Sequence, residues 1–194
     1  MLDIKTIVNG ELFENCYVLS EGVKAVCIDP GYALDEVLAY LNEKGIELKY
    51  IILTHAHFDH SSSAFELKEK TGAEILCSEE EAELLLTPKL NLGYYYNDFI
   101  SFSPDKTFSE GEALSVFETP ITFMLTPGHT IGSAVIICGD NIFSGDTLFE
   151  DGFGRTDFPT GSYSEMVKSL KKLKSLEKNY KVYSGHGPQF NLHK

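Results

Sequence analysis

Histidine and aspartate side chains are concentrated in one short segment of this sequence. Residues 54–60 read Thr-His-Ala-His-Phe-Asp-His, so four side chains that can bind a metal fall within six residues: His55, His57, Asp59 and His60. The segment directly follows the apolar run 50–53, which we interpret as a buried strand. Neutral imidazoles and carboxylates suit borderline divalent ions such as zinc, iron or manganese. We therefore predict a metal site at the end of this strand.

Three further candidate ligands each follow an apolar run through a turn that contains glycine: His129, Asp146 and His186. Strand ends are where a rigid sheet presents side chains to a common cleft. Of the six histidines, only His193 lies outside this pattern, and we interpret it as a tail residue. Seven ligands are too many for one tetrahedral ion but fit two divalent ions that share a carboxylate. Zinc is the favoured metal, with iron or manganese as alternatives.

The elements that must position these side chains are short strands alternating with helices. Apolar runs indicate strands at 16–20, 24–28, 50–53, 113–118, 121–126, 133–138, 141–144 and 181–184. Helices are predicted at 34–44, 62–71 and 78–86, and a last one turns Met166, Val167, Leu170 and Leu173 inward. We interpret residues 88–108, rich in Tyr, Phe and Asn, as a long loop that could overhang the site. These patterns predict an α/β fold in which sheets are covered by helices.

Length and charge narrow the function classes. The 194 residues fit a single domain, 1–194, and the net charge of −13 argues against nucleic acid or an anionic membrane as partner. An anionic substrate would need a local positive charge. Two divalent cations, two aspartates and one hydroxide sum to about +1, which would provide that charge. We thus expect a small-molecule substrate, and the sequence leaves homo-oligomerisation open.

Cellular context is predicted from what the sequence lacks. No apolar run approaches the roughly 18 residues of a membrane span, and the first five residues do not resemble a signal peptide. We therefore expect a cytoplasmic protein. Its four cysteines are not spaced as C-x-x-C pairs, so we expect small reduced core residues rather than a zinc or disulfide framework.

The sequence resembles the metallo-β-lactamase superfamily, and most closely its small glyoxalase II-like branch. The residues that carry the resemblance lie in six segments spread over most of the chain: Cys27-Ile28-Asp29-Pro30-Gly31, 54–60, Thr126-Pro127-Gly128-His129-Thr130, Phe143-Ser144-Gly145-Asp146-Thr147-Leu148-Phe149, Gly154-Arg155-Thr156-Asp157 and Gly185-His186-Gly187-Pro188. The resemblance implies a four-layer α/β/β/α sandwich with the site along one edge of the paired sheets.

The resemblance also implies a role for each ligand. His55, His57 and His129 would hold the first metal; Asp59, His60 and His186 the second; and Asp146 would bridge. Asp59 is also the predicted catalytic residue. Asp29, the turn aspartate of the family, would hydrogen-bond a ligand imidazole, although a simple turn-forming role is an equal alternative. The sequence departs from the family at 61–63, where three serines replace a glycine-containing stretch.

Arg155 is the only arginine in the chain. Its planar guanidinium suits a carboxylate, either on the substrate or on the neighbouring Asp157. We predict that Arg155 binds substrate, and an ion pair with Asp157 is the alternative role.

Thioester hydrolysis of S-acylglutathione-like substrates by a metal-bridged hydroxide is the leading hypothesis for function. A thiolate leaves without a dedicated general acid, because its conjugate acid has a pKa of about 8.5 to 9. Eight residues follow His186, whereas full-length glyoxalase II enzymes carry a C-terminal helical domain, so glutathione itself is not fixed as the thiol. The alternatives are a mononuclear-iron persulfide dioxygenase, a lactonase or other ester hydrolase, and an inactive metal-binding module. Tyr94, Tyr95 and Tyr96 are weak candidates for a lactonase tyrosine.

Overall fold

The computed structural model describes residues 1–193 and contains two six-stranded sheets. The first sheet has the spatial order β1-β2-β3-β4-β5-β6. Its strands are β1 (Asp3–Asn9), β2 (Glu14–Glu21), β3 (Lys24–Ile28), β4 (Glu47–Ile52), β5 (Glu74–Ser78) and β6 (Lys106–Phe108). From β3 to β6 all neighbours are parallel, as helical crossovers between successive strands require.

The second sheet has the spatial order β12-β11-β10-β9-β8-β7. Its strands are β7 (Ala113–Leu114), β8 (Ile121–Leu125), β9 (Ala134–Cys138), β10 (Asn141–Gly145), β11 (Lys181–Ser184) and β12 (Phe190–Asn191). Strands β8 and β10 both pair antiparallel with β9, and β10 pairs parallel with β11. Strands β8, β10 and β11 therefore run in one direction and end at the same edge of the sheet.

Backbone hydrogen bonds join the edge of the first sheet at which β4 ends to the edge of the second sheet at which β11 ends. The Ala134 amide, at the start of β9, donates to the Thr54 carbonyl at 2.9 Å, and the Asn15 amide donates to the Gly185 carbonyl at 2.8 Å. The loops that follow β4, β8, β10 and β11 are thereby gathered along one line. These are the four loops that carry the predicted ligands.

Three apolar layers show the predicted α/β/β/α order. Between the sheets lie aromatic and aliphatic side chains from both, including Tyr17, Ile52, Phe108, Phe123 and Phe143. Phe108 and Phe123 stack across this layer, with centroids 3.9 Å apart. On the outer face of the first sheet, helix residues such as Val37 and Leu67 pack on strand residues such as Cys27 and Ile51. On the outer face of the second sheet, Leu173 packs with Val135, Ile142 and Val182.

The helices are α1 (Leu34–Lys44), α2 (Phe58–Ser61), α3 (Ala64–Thr71), α4 (Glu81–Leu86), α5 (Gly93–Tyr96) and α6 (Tyr163–Lys174). Helix α1 matches its prediction and ends at Gly45 in the left-handed region, φ 62°. The predicted helix 62–71 begins instead at residue 64. The predicted helix 78–86 begins at residue 81, because Ser78 completes β5.

Several strand predictions were also incomplete. Residues 88–108 are not one loop, because they contain α5 and the edge strand β6. The run 113–118 forms a strand over two residues only, and β1, β5 and β12 were not predicted. Strand β1 has a mostly exposed surface and so lacks an apolar run to reveal it. Its pairing with β2 is a tertiary feature.

All four cysteines are buried and free, as predicted: Cys16, Cys27, Cys77 and Cys138. The Sγ atoms of Cys16 and Cys27 are 3.5 Å apart, a contact of two thiols on neighbouring strands. Among residues 1–193, the structure has no helix of the length and apolarity that a membrane crossing would require.

Candidate metal centre

Three imidazoles from two sheets form the first group of the site. His55 and His57 follow β4, whereas His129 lies in the loop between β8 and β9. All three are buried, and one ring nitrogen from each lies within 4.8 Å of the others. Nδ1 of His57 and Nε2 of His129 are 2.9 Å apart. These are the three residues that the resemblance assigns to the first metal.

A second group contains Asp59, His60 and His186, whose ligand atoms also lie within 4.8 Å of one another. Oδ2 of Asp59 lies 3.4 Å from Nε2 of His186 and 3.8 Å from Nε2 of His60. Asp59 and His60 belong to the one-turn helix α2, which ends at Ser61. The Ser61 hydroxyl shares its one hydrogen between the carbonyl oxygens of Ala56 and His57, at 3.0 and 2.9 Å. The first serine of the 61–63 departure therefore supports the ligand loop.

Asp146 lies between the two groups. Its Oδ2 is 3.5 Å from Nε2 of His129, while its Oδ1 is 3.5 Å from Nε2 of His60 and 3.7 Å from Nε2 of His186. The position depends on glycine, because a Cβ on Gly185 would overlap with Oδ1 of Asp146 and lie 2.7 Å from Cε1 of His60. One carboxylate thus faces both groups, with one oxygen toward each.

Four of the five imidazoles are oriented by a hydrogen bond on Nδ1. His55 is 3.0 Å from Thr54 Oγ1, and His60 is 2.9 Å from Asp29 Oδ2. His129 and His186 face the backbone carbonyls of Arg155 and Leu12, at 2.7 and 3.0 Å. A proton on Nδ1 leaves the Nε2 lone pair of each ring free to bind a metal, which is the usual arrangement around metal-ligating histidine.

Unpartnered atoms test whether this site fits metal ions. Within residues 1–193, buried side-chain atoms without a hydrogen-bond partner are few, and three of the five are ligand atoms left free for a metal: His55 Nε2, His60 Nε2 and Asp146 Oδ1. His57 Nε2 also has no partner, but Nδ1 is the atom of this ring that faces His129. A buried polar atom without a partner is costly unless something else binds it. Ligand atoms about 2.1 Å from a tetrahedral ion lie roughly 3.4 Å apart, close to the separations around Asp146 and Asp59. The residues present therefore fit bound metal.

The pKa shifts of the histidines differ between the two groups of ligands. Burial, reinforced by neighbouring imidazoles, holds the pKa of His55 well below its usual value and lowers the pKa of His57 to about 3. These rings are neutral and ready to bind a cation. Burial alone would also lower the pKa of His60, but Asp59 and Asp146 raise it well above its usual value. Burial would raise the pKa of Asp146, but the imidazoles of His60, His129 and His186 hold it well below its usual range.

Asp29 follows β3 and combines the two roles considered for it. It is buried and has φ 48°, a left-handed turn conformation that aspartate tolerates. Its Oδ1 accepts from the Thr54 amide at 2.8 Å, and its Oδ2 accepts from Thr54 Oγ1 at 2.6 Å besides facing Nδ1 of His60. Through Thr54 and His60, one carboxylate orients imidazoles in both groups.

Two buried glutamates were missed by the sequence analysis. Glu14 starts β2 and has its Oε1 3.7 Å from Nδ1 of His60; burial raises its pKa well above the usual value. Glu81 is fully buried at the start of α4. It belongs to the acidic run Glu79-Glu80-Glu81, a pattern that is typical of solvent-exposed side chains. Its spacing of three and four from the buried Leu84 and Leu85 was the available signal.

Arg155 makes the ion pair with Asp157 that was one of its two predicted roles. Its Nε and Nη2 donate to the two carboxylate oxygens at 2.9 and 2.7 Å. The guanidinium also lies 4.2 Å from the centroid of Phe158, whose ring packs edge-on against His57. Arg155 therefore lies at the rim of the histidine cluster, with its side chain 64% exposed. Substrate contact by Arg155 remains a prediction.

The structure also places His193 and the three tyrosines at 94–96. His193 Nε2 is hydrogen-bonded to the Leu176 carbonyl at 2.7 Å, so this ring fastens the last described residues to the chain after α6. Tyr94, Tyr95 and Tyr96 are all exposed, and Tyr96 also stacks on Phe58, the residue between His57 and Asp59, with centroids 4.4 Å apart. These contacts agree with loop packing.

Comparison with known proteins agrees with this geometry. A family model described as "Metallo-beta-lactamase superfamily" matches residues 9–186. The chain is 34% identical over 181 residues to hydroxyacylglutathione hydrolase GloC of Haemophilus influenzae, covering 90% of this chain and 85% of that protein. Two solved structures are similar throughout. The BLEG-1 B3 metallo-β-lactamase has a TM-score of 0.92 at 28% identity, with 98% and 94% of the two chains covered. TTHA1623 in a di-iron-bound form has a TM-score of 0.87 at 31% identity, with 97% and 94% covered.

The histidine and aspartate groups at the sheet edge, the two-sheet fold and the family match over 9–186 all agree. The chain belongs to the metallo-β-lactamase superfamily and is a metallo-hydrolase.

Proposed function

We propose that this protein is a dinuclear metal-dependent thioesterase that hydrolyses S-acylglutathione-like thioesters. The observation that carries the proposal is the position of Asp146, whose two carboxylate oxygens face two separate groups of ligands. The similarity to a hydroxyacylglutathione hydrolase over most of both chains supports the choice of thioester. Among divalent metals, zinc suits this imidazole-rich donor set, while the di-iron-bound form of a similar protein supports iron.

Each group would hold one ion. His55, His57 and His129 would bind the first, Asp59, His60 and His186 would bind the second, and Asp146 would contact both. When bound, such ions lower the pKa of water toward 7 and polarise the carbonyl that is attacked. The protein orients four of the five imidazoles, those of His55, His60, His129 and His186, through hydrogen bonds to Thr54, Asp29 and two backbone carbonyls.

Asp59 has a second task as the catalytic carboxylate. Burial would raise its pKa, but His60 and His186 keep it below the usual value, so Asp59 is ionised at neutral pH. An ionised carboxylate at this position can accept a hydrogen bond from water and keep it aligned. The leaving thiolate needs no proton donor, because the pKa of its conjugate acid is about 8.5.

Arg155 would bind a carboxylate of the substrate. Asp157 uses Nε and Nη2 of the guanidinium, so Nη1 is available at the rim of the site. Phe158 holds the plane of the guanidinium by stacking against it. The Arg155 guanidinium is a positive group at the rim of the site in a chain whose net charge is −13. It would draw the anionic end of the substrate to the side of the cleft near His57 and His129.

The proposal is tested with S-lactoylglutathione and purified protein of known metal content. We expect two metal ions per chain, hydrolysis that stops when a chelator removes the metal, and recovery when metal is returned. Asp59→Asn should abolish hydrolysis, while the exposed control Asp35→Asn should leave it unchanged.

Substitution of Arg155 gives a second readout. Arg155→Ala should raise KM about tenfold, since one exposed charge-assisted hydrogen bond is lost, and should change kcat little. One iron per chain together with oxygen uptake on glutathione persulfide would instead establish a dioxygenase and refute the thioesterase.

A further inference from the structure

Glu81 is a buried carboxylate that receives three hydrogen bonds. Its Oε2 accepts from the Ala56 amide at 2.7 Å. Its Oε1 accepts from Thr130 Oγ1 at 2.6 Å and from the Gly132 amide at 2.9 Å. Every partner is a donor, so the ionised carboxylate is satisfied on both oxygens. The three hydrogen bonds offset the free-energy cost of burying this carboxylate.

The three donors lie on the two loops that carry the first group of ligands. Ala56 is the residue between His55 and His57, and Thr130 directly follows His129. One loop extends from β4 of the first sheet, whereas the other joins β8 and β9 of the second. Each oxygen of Glu81 binds one loop. The rigid carboxylate therefore fixes the separation of two loops that belong to different sheets.

The packing around the carboxylate leaves little freedom. A Cβ on Gly132 would lie 2.8 Å from Oε1 of Glu81 and 2.5 Å from Oγ of Ser78, so the loop reaches this carboxylate only as glycine. Ser78 Oγ donates to the Gly132 carbonyl at 2.6 Å, which holds the same loop from the other side. The side chain of Thr130 is held in turn by Ser133, with Oγ atoms 2.7 Å apart.

We propose that Glu81 is a positioning residue that sets the distance between His129 and the pair His55 and His57, and thereby the affinity of the first metal ion. The inference rests on a metal occupying the site, as in the proposed function, but not on a thioester as substrate. Glu81 itself is not a ligand, because both of its oxygens are already used.

Glutamine is the informative replacement because it has nearly the same shape. A side-chain amide has one oxygen, and its NH2 group can only donate. In Glu81→Gln, either the Ala56 amide or the pair Thr130 and Gly132 would face a donor instead of an acceptor. At least one loop would then move away. Glu83→Gln is the matched control, because Glu83 lies on the same helix and is exposed.

The experiment measures zinc affinity by competition with a chromophoric chelator, using the metal-free full chain. For Glu81→Gln we expect the affinity for one of the two ions to fall 10- to 100-fold, as is typical when a partner outside the ligand set is lost, while the other ion is bound as in wild type. Substitution with Co²⁺ should show an altered absorption spectrum for the weakened ion. Glu83→Gln should match wild type in both measurements.

Unchanged affinities and spectra in Glu81→Gln would overturn the proposal. If that variant fails to fold by circular dichroism, Thr130→Val removes only one of the three hydrogen bonds. It should weaken the same ion several-fold, and an unchanged affinity would equally overturn the proposal. Failure of the proposed function looks different, since wild type would then bind no pair of ions or would not hydrolyse thioesters.

Discussion

Asp29→Asn is the substitution that most directly tests how this protein prepares its imidazoles. Nδ1 of His60 lies 2.9 Å from Oδ2 of Asp29, so the carboxylate keeps the proton on Nδ1 and leaves Nε2 free. Asparagine can adopt the left-handed backbone of this residue, so the turn itself should survive. Its oxygen can still accept from the Thr54 amide. Its NH2 group would then face both Thr54 Oγ1 and His60, where acceptors are needed.

The cost follows from these contacts. Loss of one charge-assisted hydrogen bond is worth about 1.5–3 kcal/mol. In addition, His60 would favour the tautomer with its proton on Nε2, the atom that faces Asp59 and Asp146. We expect the affinity for one ion to fall about 10- to 100-fold, equivalent to about 1.4–2.8 kcal/mol. The other ion should be less affected, because only Thr54 links Asp29 to His55.

The assay is metal competition with a chromophoric chelator, combined with hydrolysis measured at saturating metal. Asp35→Asn serves as control, because Asp35 is an exposed residue in the first turn of α1. Saturating metal should restore part of the activity of Asp29→Asn. If the variant binds both ions as tightly as wild type, the carboxylate does not control the tautomer of His60, and the reasoning is refuted.

Three further predictions concern stability and packing. Phe143→Ala should lower the free energy of unfolding by about 3–5 kcal/mol in chemical denaturation, because this fully buried ring packs against Tyr17 between the sheets; a loss under 1 kcal/mol would contradict that packing. Burial raises the pKa of Glu81 to about 7, so the folded state binds the proton more tightly between pH 4.5 and 7. Over this interval the metal-free wild type should lose about 3 kcal/mol of stability relative to Glu81→Gln as pH rises, and parallel pH profiles would refute the burial argument. Gly154→Ala should reduce both metal affinity and stability, since its Cβ would overlap with the Asp146 carbonyl and lie 2.9 Å from Nδ1 of His129; Gly152→Ala, which meets open space, is the control.

The candidate ligands could be predicted from the sequence because metal chemistry restricts residue type, and strand ends restrict position. Residues 54–60 place four donors after a single strand, a local feature that needs no tertiary information. Likewise, the spacing of Leu34, Val37, Leu38 and Leu41 together with Gly45 was enough to define α1. These signals are local in sequence, since helix periodicity and turn chemistry act over a few residues.

Other features were decided only by the tertiary structure. Strand β1 is mostly exposed and depends on its pairing with β2, and β6 depends on β5, so no apolar run marks either strand. The burial of Glu81 within an acidic run depends on donors that are 25 and 49–51 residues away in the chain. The sequence determined which side chains could bind metal. The meeting of two sheets along one edge decided which buried carboxylates orient them, because hydrogen bonds between distant loops leave no periodic pattern in the chain.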